Sequence, residues 1–100
     1  MEAGARQITR AAHSPAQAYL GKIYYDGRGV KQDYKEAVAW HRKAAEQGHA
    51  NAQNNLGYMY ANGQGVPQDF ATALKWLQLA AEQGHVNASK ALDALQQDLI

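Results

Sequence analysis

One hundred residues with ten basic and nine acidic side chains give a net charge of +1, which excludes the electrostatic footprint that nucleic acids and anionic membranes demand. The absence of cysteine excludes a disulfide framework, thiolate catalysis and cysteine-bound zinc, and no run approaches the roughly 18 apolar residues of a membrane span. Hydrophobic residues make up 46%, but 20 of the 100 residues are alanine, so a single domain of helices meeting over small side chains is expected.

In chain order, Met1 to Arg6 has no apolar stretch behind it of the secretory type. The expected location is therefore soluble, the cytoplasm by default, with the periplasm or the exterior open if a leader has been removed. Gly4 to Ala12 is expected to be a degenerate helix. Ser14-Pro15-Ala16-Gln17 then offers an N-cap serine, a proline at the first helical position and a glutamine placed to bond back to the cap. Ala16, Leu20, Ile23 and Tyr24 recur at helical spacing until Asp26-Gly27-Arg28-Gly29, where glycines allow positive φ. Asp33-Tyr34-Lys35-Glu36 starts a second helix with an acidic cap, its stripe is Ala37, Trp40, Ala44 and Ala45, and Gly48 ends it. Asn51 is expected to cap the next helix, Asp69 the one after, and Asn87 a last helix carrying Ala88, Ala91, Leu92, Leu95 and Leu99.

Shifting the chain by 36 residues superposes 16–51 on 52–87 with 19 of 36 positions identical. Ala44-Ala45-Glu46-Gln47-Gly48-His49 returns as Ala80-Ala81-Glu82-Gln83-Gly84-His85. In the same register Arg10 and Ala12 replace the glutamate and glycine of that block. Such a period marks stacked units that cannot bury their apolar faces alone. The expected organisation is one domain over 1–100: a degenerate helix (1–13), two repeats (14–49 and 50–85), and a capping helix or partial repeat (86–100).

The run Leu-Gly-x-x-Tyr-x-x-Gly-x-Gly-Val, then Gln-Asp-aromatic, Ala-x-x-Trp and Ala-Ala-Glu-Gln-Gly-His, present from Leu20 to His49 and from Leu56 to His85, resembles the Sel1-like repeat, a relative of the tetratricopeptide repeat. At the third copy the pattern departs: Asp93 stands where the glycine would be. The resemblance implies an all-α, right-handed solenoid of antiparallel helix pairs, about two and a half repeats long. It also implies an adaptor or scaffold role in protein complexes, frequently in bacterial signalling and host interaction.

The candidate chemistry resolves mostly into architecture. Gly27-Arg28-Gly29 and Gly63-Gln64-Gly65 follow helices and lack the remaining elements of a nucleotide-binding loop, so they read as turns. His13, His49 and His85 share one phase, where stacked helices stand about 8–10 Å apart, too far to share a zinc ion with ligands about 2 Å away; they read as structural, each bonding a carbonyl or a helix end. His41 stands alone, opposite Leu77 of the second repeat, and is expected to be packed or partly exposed. No Ser-His-Asp, paired-carboxylate or His-Glu-x-x-His pattern is visible, so no catalytic residue, metal or cofactor is expected. Leu20, Gly21, Tyr24, Trp40, Leu56, Gly57, Tyr60 and Trp76 recur in phase and are assigned to the repeat core.

Positions that vary between the units point outward. Ala18, Lys22 and Tyr25 share a face of the first helix, with Asp26 beside them; the equivalent set is Asn54, Tyr58, Ala61 and Asn62, then Lys90, Ala94 and Gln97. By the resemblance this phase lines a concave groove. Lys22, Tyr25, Asp26, Asn51, Asn54, Asn55, Tyr58, Asn62 and Lys90 are the candidate partner-binding residues, with amides to bond a peptide backbone and phenols to hold side chains. An ordinary solvated face remains the alternative. Three uses follow: a non-enzymatic module binding protein or peptide; a fragment or self-associating unit, because Leu92, Leu95, Leu99 and Ile100 have no following helix to cover them; and a small-molecule hydrolase, for which no nucleophile and base are in evidence. Neither nucleic acid nor membrane insertion is expected.

Overall fold

A computed structural model describes the backbone of residues 2–98 and the side chains of residues 13–97. Its five helices are α1 (Glu2–Asp26), α2 (Tyr34–Glu46), α3 (Ala50–Asn62), α4 (Phe70–Glu82) and α5 (Val86–Asp98), and no strand occurs among the described residues. Each helix packs on the next in sequence, as in a helical solenoid. The pairs run antiparallel because both ends are tied. In the first pair Asp33 N–H donates to the Tyr24 carbonyl (3.0 Å) at one end and Gln47 Nε2 donates to Gln17 Oε1 (2.6 Å) at the other. In the second, Asp69 N–H donates to Tyr60 (2.9 Å) and Gln83 Nε2 to Gln53 Oε1 (2.9 Å).

The aspartate caps form where expected. Asp33 Oδ1 accepts from Lys35 N–H (3.0 Å) and Glu36 N–H (3.2 Å), and Asp69 accepts from Thr72 N–H (3.1 Å), satisfying donors that have no partner within a helix. The other starts differ. His49 Nδ1 accepts from Ala52 N–H (3.2 Å) and His85 Nδ1 from Ala88 N–H (3.1 Å), so the histidines, not Asn51 and Asn87, cap α3 and α5. Asn51 lies inside α3, where its Oδ1 is held at 2.7 Å by His85 Nε2. One imidazole thus caps its own helix and ties it to the start of α3.

The expected helix start at Ser14 is also corrected. The backbone is helical from Glu2 to Asp26 with Pro15 inside, and Ser14 is buried. Proline removes a single backbone donor and clashes with the carbonyl four residues back, at about 3 kcal/mol, and the remaining helical bonds on both sides are kept. The segment 1–13 is therefore no separate helix; its side chains up to Ala12 lie outside the described residues.

The core is thin and alanine-rich. Ala37, Val38, Ala44, Ala45, Ala52, Leu56 and Met59 form one buried cluster with Tyr24, Tyr60 and Trp76 packed on it, and Leu77, Ala80, Ala88 and Ala91 form another under Leu92 and Leu95. Leu99 and Ile100, expected on the uncovered end, lie outside the described residues. Trp40 is half-buried with Lys43 Nζ 4.5 Å from its ring centre, and Leu20 is half-buried as well. Polar bonds join the repeats: Arg42 donates to the Tyr60 hydroxyl, Gln53 Nε2 to the Ala45 carbonyl (3.1 Å) and Gln83 Nε2 to the Gly48 carbonyl (2.9 Å).

Candidate functional site

A groove of about 710 Å³ runs along the first helices of the two pairs, from Pro15, Ala18, Tyr19, Lys22, Tyr25 and Asp26 of α1 to Asn51, Asn54, Asn55, Tyr58 and Asn62 of α3. His85 and Asn87 close one end, and His41 and His49 also line it. The phase selected from repeat-to-repeat variation thus collects on one surface. Tyr58 and Lys22 are exposed, Asn55 is half-buried and Asn62 exposed.

Several candidate residues sit differently from expectation. Asn54 is buried at 7% exposure, and Ala61, two turns further on, at 8%, because α3 is packed between α2 and α4 and has less free arc than α1. Asn54 therefore lies at the groove floor and not on an open face. Tyr25 is engaged within the protein: its ring is 5.1 Å from that of Tyr34 and its hydroxyl donates to Gln64 Oε1 at 3.2 Å. Asp26 faces Arg28 Nε at 3.6 Å. Lys90 is exposed on α5 but is not part of the lining. Tyr19, 62% exposed, lines the groove and was missed, although its replacement by Asn55 one repeat later is the same signal of variation.

Gly21 and Gly57, assigned to the core, explain how the second helix of each pair reaches the first. A Cβ on Gly57 would lie 2.7 Å from Leu77 Cγ, and one on Gly21 would lie 2.8 Å from ring atoms of His41. Each glycine leaves room for the side chain at one fixed phase of the partner helix. In the second repeat that side chain is a leucine, fully buried; in the first it is His41, 2% exposed. Neither His41 Nδ1 nor Asn54 Oδ1 has a hydrogen-bond partner in the protein.

Burial, with a smaller contribution from nearby His49, pushes the His41 pKa from 6.5 down to about 4, and burial also lowers His49. An unfolded chain takes up the His41 proton near pH 6.5, whereas the folded one resists it until about pH 4. The stability linked to this group is complete above about pH 6.5 and is lost as the pH falls through 4. It amounts to about 3 kcal/mol between those limits. Urea unfolding at pH 7 and pH 4 is expected to show this loss in the native sequence and only the smaller His49 share in His41→Leu; parallel losses in the two proteins would refute the assignment.

Among the described residues no group of three or more His, Asp or Glu side chains is placed to hold a metal ion, and no helix is long and apolar enough to cross a membrane. Comparison with known proteins now identifies the architecture. The Sel1 repeat profile matches residues 14–49 and 50–85. The chain belongs to the Sel1 repeat family. Among solved structures, a Sel1 repeat protein from Oxalobacter formigenes is 41% identical with a TM-score of 0.81, over 82% of this chain and 34% of that one. The c5321 protein of uropathogenic Escherichia coli, a protective antigen with this repeat fold, is 48% identical with a TM-score of 0.79, over 80% of this chain and 17% of that one. Helicobacter pylori cysteine rich protein B is 28% identical with a TM-score of 0.75, over 79% and 59%. The chain thus spans less than two thirds of each of these relatives. No curated protein matches. Sel1 repeat proteins generally mediate protein–protein interaction and are typically non-enzymatic scaffolds.

Proposed function

We propose that the chain is a non-enzymatic module that binds a protein segment in the groove between α1 and α3. The observation that carries this reading is the convergence, on one concave surface, of residues the repeat does not need: Tyr19, Lys22, Asn55, Tyr58 and Asn62 all differ from their repeat counterparts and all line the groove. Their chemistry suits an extended peptide. Side-chain amides donate and accept in the manner of a backbone, the rings of Tyr19 and Tyr58 offer exposed apolar faces beside a hydroxyl, and Lys22 is the lining's lysine, balanced by Asp26.

The test uses the intact chain as bait and its captured partner as ligand. Replacing Lys22, Asn54 and Tyr58 together with alanine is expected to weaken binding at least about tenfold, the equivalent of about 1.4 kcal/mol, with a nearly unchanged circular dichroism melt. Full affinity in the triple variant would show that the partner uses another face.

A further inference from the structure

The two repeats act as internal controls for one another. At the phase where the second repeat has Leu77 over Gly57, the first has His41 over Gly21. At the phase where the first repeat has Ala18, the second has Asn54. Packing is satisfied by leucine and alanine at these positions, so neither polar side chain is required by the stack. Both are nevertheless more than nine-tenths buried, both hold a polar atom without a partner in the protein, and both line the same groove. A buried, unbonded polar atom is destabilising, and two at one site, each departing from the repeat, mark a place where binding and not folding selects the residue.

Building on the groove reading, we propose that the floor between His41 and Asn54 is a socket for an uncharged carboxamide, the side chain of a glutamine or asparagine in the bound segment. Asn54 Oδ1 accepts only, so the guest must donate there. A carboxylate has no proton to give and would face that oxygen with like charge. An ammonium donates but would carry its charge into a site whose depth already keeps His41 and His49 neutral, and an aliphatic side chain leaves both atoms unbonded. A hydroxyl has one proton and serves both atoms in only one imidazole tautomer. A carboxamide has two N–H donors and a carbonyl acceptor. It bonds Asn54 Oδ1 through nitrogen and His41 Nδ1 through either its second N–H or its oxygen, whichever tautomer is present.

Blocked pentapeptides Ac-Ala-Ala-X-Ala-Ala-amide, with X as glutamine, serine, glutamate, lysine or leucine, titrated into the isotope-labelled intact chain, test this. The glutamine peptide is expected to shift the His41 ring and Asn54 side-chain resonances and to bind about tenfold tighter than the glutamate, lysine and leucine peptides, with serine between. His41→Leu and Asn54→Ala, each copying the other repeat, are expected to erase that preference, and His41→Leu to raise Tm by about 4–8 °C. Equal binding of all five peptides, with shifts at Lys22, Asn55 and Tyr58 but none at His41 or Asn54, would overturn the socket and leave the groove reading standing. A glutamine preference that survives both substitutions would also overturn it. No shift at any groove residue with any peptide would count against both.

Discussion

Gly65→Ala is expected to lower stability by about 3 kcal/mol, and Gly29→Ala, the same position one repeat earlier, by only about 1 kcal/mol. Both glycines have φ of +74°, where an L side chain is strained, so this share of the cost is common. What differs is the surroundings. A Cβ on Gly65 would stand 2.5 Å from the Tyr34 carbonyl oxygen and 3.0 Å from the Lys35 nitrogen, whereas one on Gly29 meets nothing within 4 Å. The obstacle is backbone at the start of α2, held by the Asp33 cap, and it cannot swing aside as a side chain can. Urea unfolding midpoints of the two variants measure the difference directly. Equal losses would mean that the loop of the second repeat does not rest on the first turn of α2.

Leu56→Ala is expected to cost about 3–4 kcal/mol, toward the upper part of the range for buried leucines. Leu56 is fully buried, and only Met59, Leu77 and His41 are other large side chains as completely enclosed. Its neighbours Ala37, Ala44, Ala45 and Ala52 have no rotatable chain with which to refill the space, so the cavity persists. A loss of this size is a large part of the about 5–15 kcal/mol that holds a domain together. Leu20→Ala, at the same phase in the first repeat, removes a half-buried side chain and is expected to cost about half as much. Thermal and urea unfolding of both variants check the order, and a Leu20 loss equal to the Leu56 loss would contradict the burial difference.

These pairs show where reading one repeat from the other stops. The aspartate caps, the paired glycines and the phase of the variable face were legible because each depends on residues within a few positions of one another. The capping histidines were not. Asparagine is the better N-cap by propensity, and Asn51 stands two residues after His49, so local preference pointed to the wrong residue. The choice is made by His85, 34 positions away, whose Nε2 engages the Asn51 oxygen. Ser14-Pro15 likewise carries a helix-start signal that the continuous α1 overrides.

The sequence by itself determined the repeat, its helix pairs and the face on which the two units differ, since period, capping and helical phase are local properties of the chain. Only the tertiary structure decided that His41 lies buried over Gly21, that Asn54 forms a floor and not an open surface, and that Gly65 is hemmed in where Gly29 is open. The physical reason is that burial depends on what is stacked alongside. α3 has a neighbour on each side, so identical phases in α1 and α3 meet different surroundings, and polar atoms that look equivalent along the chain end with different partners or with none.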